Sequence, residues 1–397
     1  MKAIGYQQSL SINDAASLVD IEMPQPTASG HDLLVRVKSI AVNPVDCKIR
    51  QNVSPTNGEF KVIGWDAVGE VVAIGELATN FKLGDKVFYA GDLNRQGTNA
   101  EYQLVDERIV GRKPESLSNS EAAALPLTSI TAWELLFERL AIKQQQPNSK
   151  EKSNDIILII GAAGGVGSIL VQLASVLTGA TVIATASRES SAAWVKKLGA
   201  DHVIDHSKPL VPQIEQLNIG QVTHVASLTH TDSYLDSYVE LLAPMGKIAL
   251  IDDPQFIDIK KLKPKSLSLH WEFMFTRSMF QTPDINKQHL LLNNIEELID
   301  QGYLQTTIGK NLGVINAANL RAAHEAIESG KSIGKIVLEG FFIGLLSVML
   351  GLGLAFIICA YLFWLILDLK NPRDKRGAQV LFKKKALVFF TLVVTSL

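Results

Sequence analysis

Gly161, Gly164, Gly165, Val166 and Gly167 lie in the run Gly161-Ala162-Ala163-Gly164-Gly165-Val166-Gly167-Ser168, directly after the apolar Ile156-Ile157-Leu158-Ile159-Ile160. A buried-strand pattern that enters a glycine-rich turn and then an apolar helix is a cradle for a pyrophosphate. The turn, the close approach of the backbone to the anion and the packing of helix on strand each exclude a Cβ, and the helix start supplies unpaired N–H donors. The spacing is Gly161-x-x-Gly164-x-x-Gly167, not the commoner G-x-G-x-x-G, but strand and helix flank it as such a motif requires. A dinucleotide is the expected ligand. About 20 residues further on, a carboxylate would select the ribose 2′-hydroxyl of NAD. This chain instead has Thr185-Ala186-Ser187-Arg188, where a hydroxyl and a guanidinium match a 2′-phosphate, so NADPH is expected over NADH.

Other reactive side chains are sparse. The two cysteines, Cys47 and Cys359, are far apart, which excludes a disulfide framework and a thiolate zinc cluster. The eight histidines are scattered, and His202, His206 and His270 have no partner at ligand spacing.

Residues 1–125 carry short β-rich runs between glycine, proline and polar turns: Leu33-Leu34-Val35-Arg36-Val37, Ala67 to Ile74 and Lys86-Val87-Phe88-Tyr89. They read as a small, mostly antiparallel β domain. From Glu121 the apolar spacing becomes helical, through Ala122 to Leu125 and Thr131 to Leu140. Residues 142–154 read as a polar surface loop, and residues 155–246 then alternate strands with helices, the pattern of a doubly wound parallel sheet. A helix over 288–301 and a strand over 334–339 follow.

With 397 residues, 47% of them hydrophobic, and 38 basic against 40 acidic side chains, the chain is neither disordered nor a dedicated nucleic-acid binder. Its length suits two or three domains of roughly 100–200 residues. Met1 to Asn13 holds no apolar run, so a cytoplasmic, reducing location is expected. The hydropathy then changes abruptly. Phe341 to Leu367 is 27 residues without a charge, against the roughly 20 needed to span a bilayer, and reads as a transmembrane helix. A basic loop over 368–385 carries Lys370, Arg373, Lys375, Arg376, Lys383, Lys384 and Lys385 against Asp374 alone, and a second apolar segment, 386–397, is too short for a confident span. Basic residues there favour a cytoplasmic loop. A single span would then place residues 1–340 outside, so three arrangements stay open: a re-entrant hairpin, an amino-terminal part held inside against the charge bias, or a read-through fusion.

Several motifs act together over residues 1–340. Val42-Asn43-Pro44-Val45-Asp46, Gly64-Trp65-Asp66-Ala67-Val68-Gly69, Gly84-Asp85-Lys86-Val87, Ala100-Glu101-Tyr102, the glycine turn, Met274-Phe275-Thr276-Arg277 and the closing His324 to Val337 resemble the medium-chain dehydrogenase/reductase superfamily. Within it the chain resembles the quinone oxidoreductase branch and proteins labelled zinc-type alcohol dehydrogenase-like. The resemblance implies an α/β fold with a GroES-like β-rich catalytic domain over 1–125, a Rossmann domain over 126–265, a return to the catalytic domain over 266–340, and a homodimer. The tail has no part in it.

Zinc-dependent members place a cysteine ligand where this chain has Asn43 and a Gly-His-Glu motif where it has Gly64-Trp65-Asp66. Tryptophan cannot coordinate zinc. Asp92 to Val105 holds no cysteine, so the four-cysteine structural lobe is missing too, and no metal is expected. Without a Lewis acid, conjugated acceptors are favoured, since their reduction leaves charge delocalised on an enolate or phenolate oxygen. The implied activity is NADPH-dependent reduction of a quinone or an α,β-unsaturated carbonyl. The resemblance puts Asn43 beside the nicotinamide ribose and the reacting carbonyl, and Lys48 in the cleft as enolate stabiliser or proton source. It puts Trp65 on the acceptor pocket and Thr131, at a helix start, near the carboxamide. Asp66 is expected to hold backbone, Cys47 to pack, and His324 to make a structural hydrogen bond. Two alternatives stay open, a zinc-type alcohol dehydrogenase and a non-catalytic, membrane-tethered NADPH-binding protein.

Overall fold

In the computed structural model the turn-punctuated first part of the chain forms β1 (Lys2–Tyr6), β2 (Val19–Glu22), β3 (Asp32–Val42), α1 (Pro44–Asn52), β4 (Lys61–Val62), β5 (Ala67–Ile74), β6 (Lys86–Tyr89), β7 (Tyr102–Asp106) and β8 (Val110–Arg112). The pairing of β1 through β8 is antiparallel throughout, as the alternating runs predict. The structure describes residues 1–341 apart from Asn57 and Asn148. Next come α2 (Asn119–Ala123) and α3 (Pro126–Trp133), which runs on into a π-helical stretch, Glu134–Arg139. Ser118 starts α2 reciprocally: its hydroxyl accepts from the Glu121 N–H, and Glu121 accepts from the Ser118 N–H at 2.9 Å.

The alternating region forms β9 (Ile156–Ile160), α4 (Gly165–Leu177), β10 (Thr181–Thr185), α5 (Glu189–Lys197), β11 (His202–Ile204), α6 (Leu210–Gln216), β12 (Val222–Ser227), α7 (Thr231–Leu241), β13 (Leu242–Leu250) and β14 (Ser268–Trp271). These six strands are parallel, in the order β11-β10-β9-β12-β13-β14. Numbered within the sheet this is 3-2-1-4-5-6, the two-halved dinucleotide-binding arrangement, and the order reverses between β9 and β12. All five residues of β9 are buried, because helices cover both faces of such a sheet. Helix α4 turns Ile169, Leu170, Leu173, Ala174 and Leu177 inward at helical spacing.

The chain then makes α8 (Thr276–Phe280), α9 (Lys287–Asp300), β15 (Ile308–Asn311), α10 (Ala317–Glu328) and β16 (Lys335–Glu339). Strand β16 pairs antiparallel with β3, Ile336 opposite Val42, and so completes a sheet in the order β15-β16-β3-β5-β6-β8, with β7 also on β3. The last described strand therefore belongs to the first sheet. Phe341, the first residue of the long apolar run, is bridged to Ile315. The transmembrane helix expected over 341–367, the basic loop over 368–385 and the segment 386–397 otherwise lie outside the described residues. Among the described residues no helix is long and apolar enough to cross a membrane.

Helix α4 meets β9 closely at Gly167, where a Cβ would stand 2.4 Å from the Gly161 carbonyl oxygen and 2.5 Å from Ala162 Cα. Neither backbone atom can move without shifting the turn. Gly167→Ala is therefore expected to destabilise the protein by about 1–3 kcal/mol, measured by denaturant unfolding, and to weaken dinucleotide affinity because the turn itself is displaced.

Candidate active site

The glycine turn leaves the carboxyl end of β9 at the point where the strand order reverses, which is where parallel sheets of this kind bind ligands. Gly161 has φ +77°, a left-handed conformation that costs other residues about 1–2 kcal/mol. Its N–H donates to Thr185 Oγ1 at 3.1 Å, so the turn is tied to the end of β10, the strand that leads to Ser187 and Arg188. Both of those residues are exposed, and among the described residues the Arg188 guanidinium has no ion-pair partner.

A second group of residues forms where three strands meet. The register of β16 on β3 brings Lys335 opposite Asn43, and the register of β5 on β3 brings Asp66 opposite Ala41. Asn43, Asp46, Asp66 and Lys335 are all at most 2% exposed. The Lys335 ammonium donates to the Val42 carbonyl at 3.1 Å, to Asn43 Oδ1 and to Asp66 Oδ2 at 2.9 Å. Asn43 Nδ2 donates to Asp66 Oδ2 at 2.8 Å and to the Ala41 carbonyl at 3.4 Å. Asp66 Oδ1 accepts the Leu127 N–H at 2.8 Å, which ties the start of α3 to the group. Burial pushes the Asp66 carboxyl up from its usual range, and Lys335 with the other donors pulls against it. Each of its partners donates and none accepts, the pattern of an ionised carboxylate. The Lys335 stem lies on the glycine turn: a Cβ on Gly165 would meet Lys335 Cδ at 2.9 Å, and the Gly334 N–H donates to the Ala163 carbonyl at 2.9 Å.

The remaining sequence candidates are dispersed around this centre. Lys48, on α1, is half exposed and donates to Asp253 at 2.6 Å, just beyond β13. Trp65 is buried, its indole N–H donating to the Asp92 carbonyl at 3.1 Å and its ring edge-to-face with Phe275. Thr131 sits inside α3, not at a helix start, and its hydroxyl donates back to the Leu127 carbonyl at 2.8 Å. Asp66 does hold backbone, as expected, but holds Lys335 as well. Lys335 escaped the sequence reading; a single lysine heading the apolar Ile336-Val337-Leu338 was the available signal.

Two family models match the chain, the alcohol dehydrogenase GroES-like domain over residues 29–115 and the zinc-binding dehydrogenase over residues 165–286. A zinc-type alcohol dehydrogenase-like protein of Staphylococcus epidermidis is 41% identical over 342 residues, 85% of this chain and 99% of that one. The chain belongs to the medium-chain dehydrogenase/reductase superfamily. A solved Rhizobium etli CFN 42 protein, described among the zinc-dependent alcohol dehydrogenases, is 53% identical with a TM-score of 0.82, covering 86% of this chain and 99% of that one. A solved mycobacterial protein complexed with NADPH is 25% identical with a TM-score of 0.71, over 85% and 99% of the two chains. The 2-methylene-furan-3-one reductase of Solanum lycopersicum is 36% identical over 224 residues, 52% of this chain and 53% of that one.

The zinc in the superfamily's names can be tested on this member's residues. The Asn43–Asp66 group offers no thiolate and no imidazole, and an ammonium already lies against its oxygen atoms. Elsewhere among the described residues, Cys47, His324 and Glu328 bring ligand atoms within 4.8 Å of one another. The buried Arg50 guanidinium occupies that group, donating from Nε to His324 Nδ1 and from Nη2 to Glu328. With Nδ1 accepting from Arg50, the imidazole proton sits on Nε2, which is buried without a partner and would have to lose that proton to bind a metal. Burial, with Arg50 adding to it, pushes His324 down to about 3, and burial raises the Cys47 thiol far above its usual range. His324 thus accepts a buried hydrogen bond from the Arg50 guanidinium. Zinc does not fit either group.

Asp46 completes the buried set: its Oδ2 accepts the Asn43 N–H at 2.9 Å at the start of α1, while its Oδ1 has no partner. Burial pushes its carboxyl up to about 7, against the pull of the Asn43 N–H and Lys335. At this position the folded protein keeps a proton that the unfolded chain releases near pH 4, so the contribution of Asp46 to stability falls as pH rises from about 4 to about 7. Asp46→Asn keeps an acceptor for the Asn43 N–H and removes the titration. Relative to the wild type it is expected to gain roughly 1–3 kcal/mol between pH 5 and pH 8 in denaturant unfolding.

Proposed function

We propose that the chain is an NADPH-dependent, zinc-independent reductase that transfers hydride to a quinone or to the C=C bond of an α,β-unsaturated carbonyl. The observation that carries this reading is the exposed Ser187–Arg188 pair at the end of β10, tied through Thr185 to a glycine turn at the strand-order reversal. A hydroxyl and a guanidinium that has no ion-pair partner among the described residues suit a 2′-phosphate, and Ser187 and Arg188 precede the first carboxylate of the segment, Glu189, which opens α5. The solved NADPH complex and the furanone reductase among the relatives support the cofactor and the acceptor class respectively. When bound, NADPH supplies the hydride.

The chain's own part is to hold the cofactor on the glycine turn and to receive negative charge on the acceptor. An unfitting donor set for zinc favours conjugated acceptors, whose charge spreads onto an enolate or phenolate oxygen. Asn43 Nδ2 donates to Asp66 and Ala41, which holds its amide in one orientation beside the glycine turn, where the nicotinamide and the acceptor would lie. Lys48 is the cation available to the acceptor oxygen. Its exposed pair with Asp253 is worth about 0–1 kcal/mol, little enough to be exchanged for an enolate. The same reading includes a homodimer, for which exposed Trp271 and Phe273, at the end of outer strand β14 and just beyond it, supply apolar surface.

Arg188→Ala is expected to weaken NADPH about tenfold while NADH affinity stays within about twofold, read by fluorescence titration; equal weakening of both would reverse the cofactor assignment. Lys48→Ala is expected to lower kcat with short enones by about 10-fold to 100-fold, leaving NADPH affinity unchanged. Steady-state rates across a panel of enones, quinones and simple alcohols check this, and oxidation of alcohols alone would favour the dehydrogenase alternative.

A further inference from the structure

The geometry points to Lys335 as the resident cation of the Asn43–Asp66 site: we propose that its ammonium does for these oxygens what a bound metal ion does for its ligands, and so positions the Asn43 amide without any metal. An ammonium has three N–H bonds and no acceptor. Here all three are placed, on the Val42 carbonyl, Asn43 Oδ1 and Asp66 Oδ2, in a group with almost no solvent access. Asn43 closes a ring by donating to the same Asp66 oxygen. Neither orientation of the amide except this one lets Oδ1 face the ammonium and Nδ2 face the carboxylate, so the charge pair selects the rotamer. The oxygen-lined pocket that would attract a divalent cation is already neutralised from within the chain.

The placement reaches beyond the ring. The alkyl stem of Lys335 packs on Gly165, the first residue of α4, and the preceding Gly334 N–H holds the Ala163 carbonyl inside the glycine turn. Displacement of the ammonium would thus be felt at the turn, and displacement of the turn at Asn43. Lys335 is a positioning residue in this assignment, acting through Asn43 and Asp66. Its link to catalysis rests on the reductase reading, whereas its role as internal cation does not.

The test uses the full-length protein as wild type, Lys335→Met, Asp66→Asn and the double variant. Removing one member of a buried pair strands the other, so each single variant is expected to lose roughly 5–10 °C in Tm. The double variant removes both charges and should recover at least half of the summed loss. Additive losses would overturn the assignment, because Lys335 would then be contributing packing alone. Zinc chloride or manganese chloride in excess should leave the wild-type Tm unchanged, and no zinc should survive dialysis against chelator. One retained zinc per chain, or a metal-induced rise in Tm that Asp66→Asn abolishes, would overturn it as well. Positioning is read separately with NADPH and an enone. The recovered double variant should show kcat reduced at least tenfold, with the KM for NADPH within about threefold; an unchanged kcat would remove Lys335 from the positioning of Asn43. If the wild type reduces none of the acceptors, the reductase reading fails, and the thermal cycle and the metal titration still decide the internal cation.

Discussion

Three N–H bonds of one buried ammonium join parts of the chain that lie up to 293 residues apart in sequence. Lys335 is at the start of the last described strand, Asn43 at the end of the longest strand of the first sheet, and Asp66 just before its neighbour β5, so the ammonium ties three strand ends together. Asp66 extends the tie to α3 through the Leu127 N–H, and the Lys335 stem extends it to the glycine turn. Leaving such a charge unpaired typically costs about 3–5 kcal/mol, a large part of the 5–15 kcal/mol that separates folded from unfolded protein. The arrangement of the site and the closure of the first sheet therefore depend on the same contact.

The parallel sheet contributes in a different way. Its strands are held by apolar burial on both faces, and its chemistry is confined to the carboxyl end where the order reverses. The turn after β9 must change direction sharply, hence the left-handed Gly161, and must let α4 approach the strand, hence Gly167. Thr185 connects that turn to β10, so the residues suited to a 2′-phosphate are set by the same parallel register that builds the core. A helix that approaches so closely leaves its first N–H groups at the turn, where an anion is favoured.

Buried cations recur as a solution in this fold. Arg50 sits among His324, Glu328 and the Leu10 carbonyl as Lys335 sits among Val42, Asn43 and Asp66. From the sequence Arg50 reads as an ordinary surface residue, whereas the structure buries it completely, and Lys335 draws no notice, since lysine and arginine are usually solvated and nothing in a linear reading shows that a helix or strand from the far end of the chain will cover them. The short elements escaped for a related reason. Helix α6 and strands β14 and β15 are too short to show a period of their own and form because longer neighbours supply their partners. Thr131 was placed at a helix start, yet α3 begins at Pro126, where the Asp66 carboxylate accepts the Leu127 N–H.

Local chemistry was legible wherever residues near in sequence remain near in space. The glycine turn between an apolar strand and an apolar helix, the alternating strands and helices after it, and the hydroxyl–guanidinium pair at the end of β10 could all be read from spacing, because backbone conformation and burial period are short-range properties. The lack of soft ligands at Asn43, Trp65 and Asp66 was legible too, from residue type alone. Only the tertiary structure decided what fills their place. The register of β16 against β3 sets Lys335 beside Asn43, and electrostatics in a buried site depends on which charges meet there, a long-range fact that the order of residues along a chain does not contain.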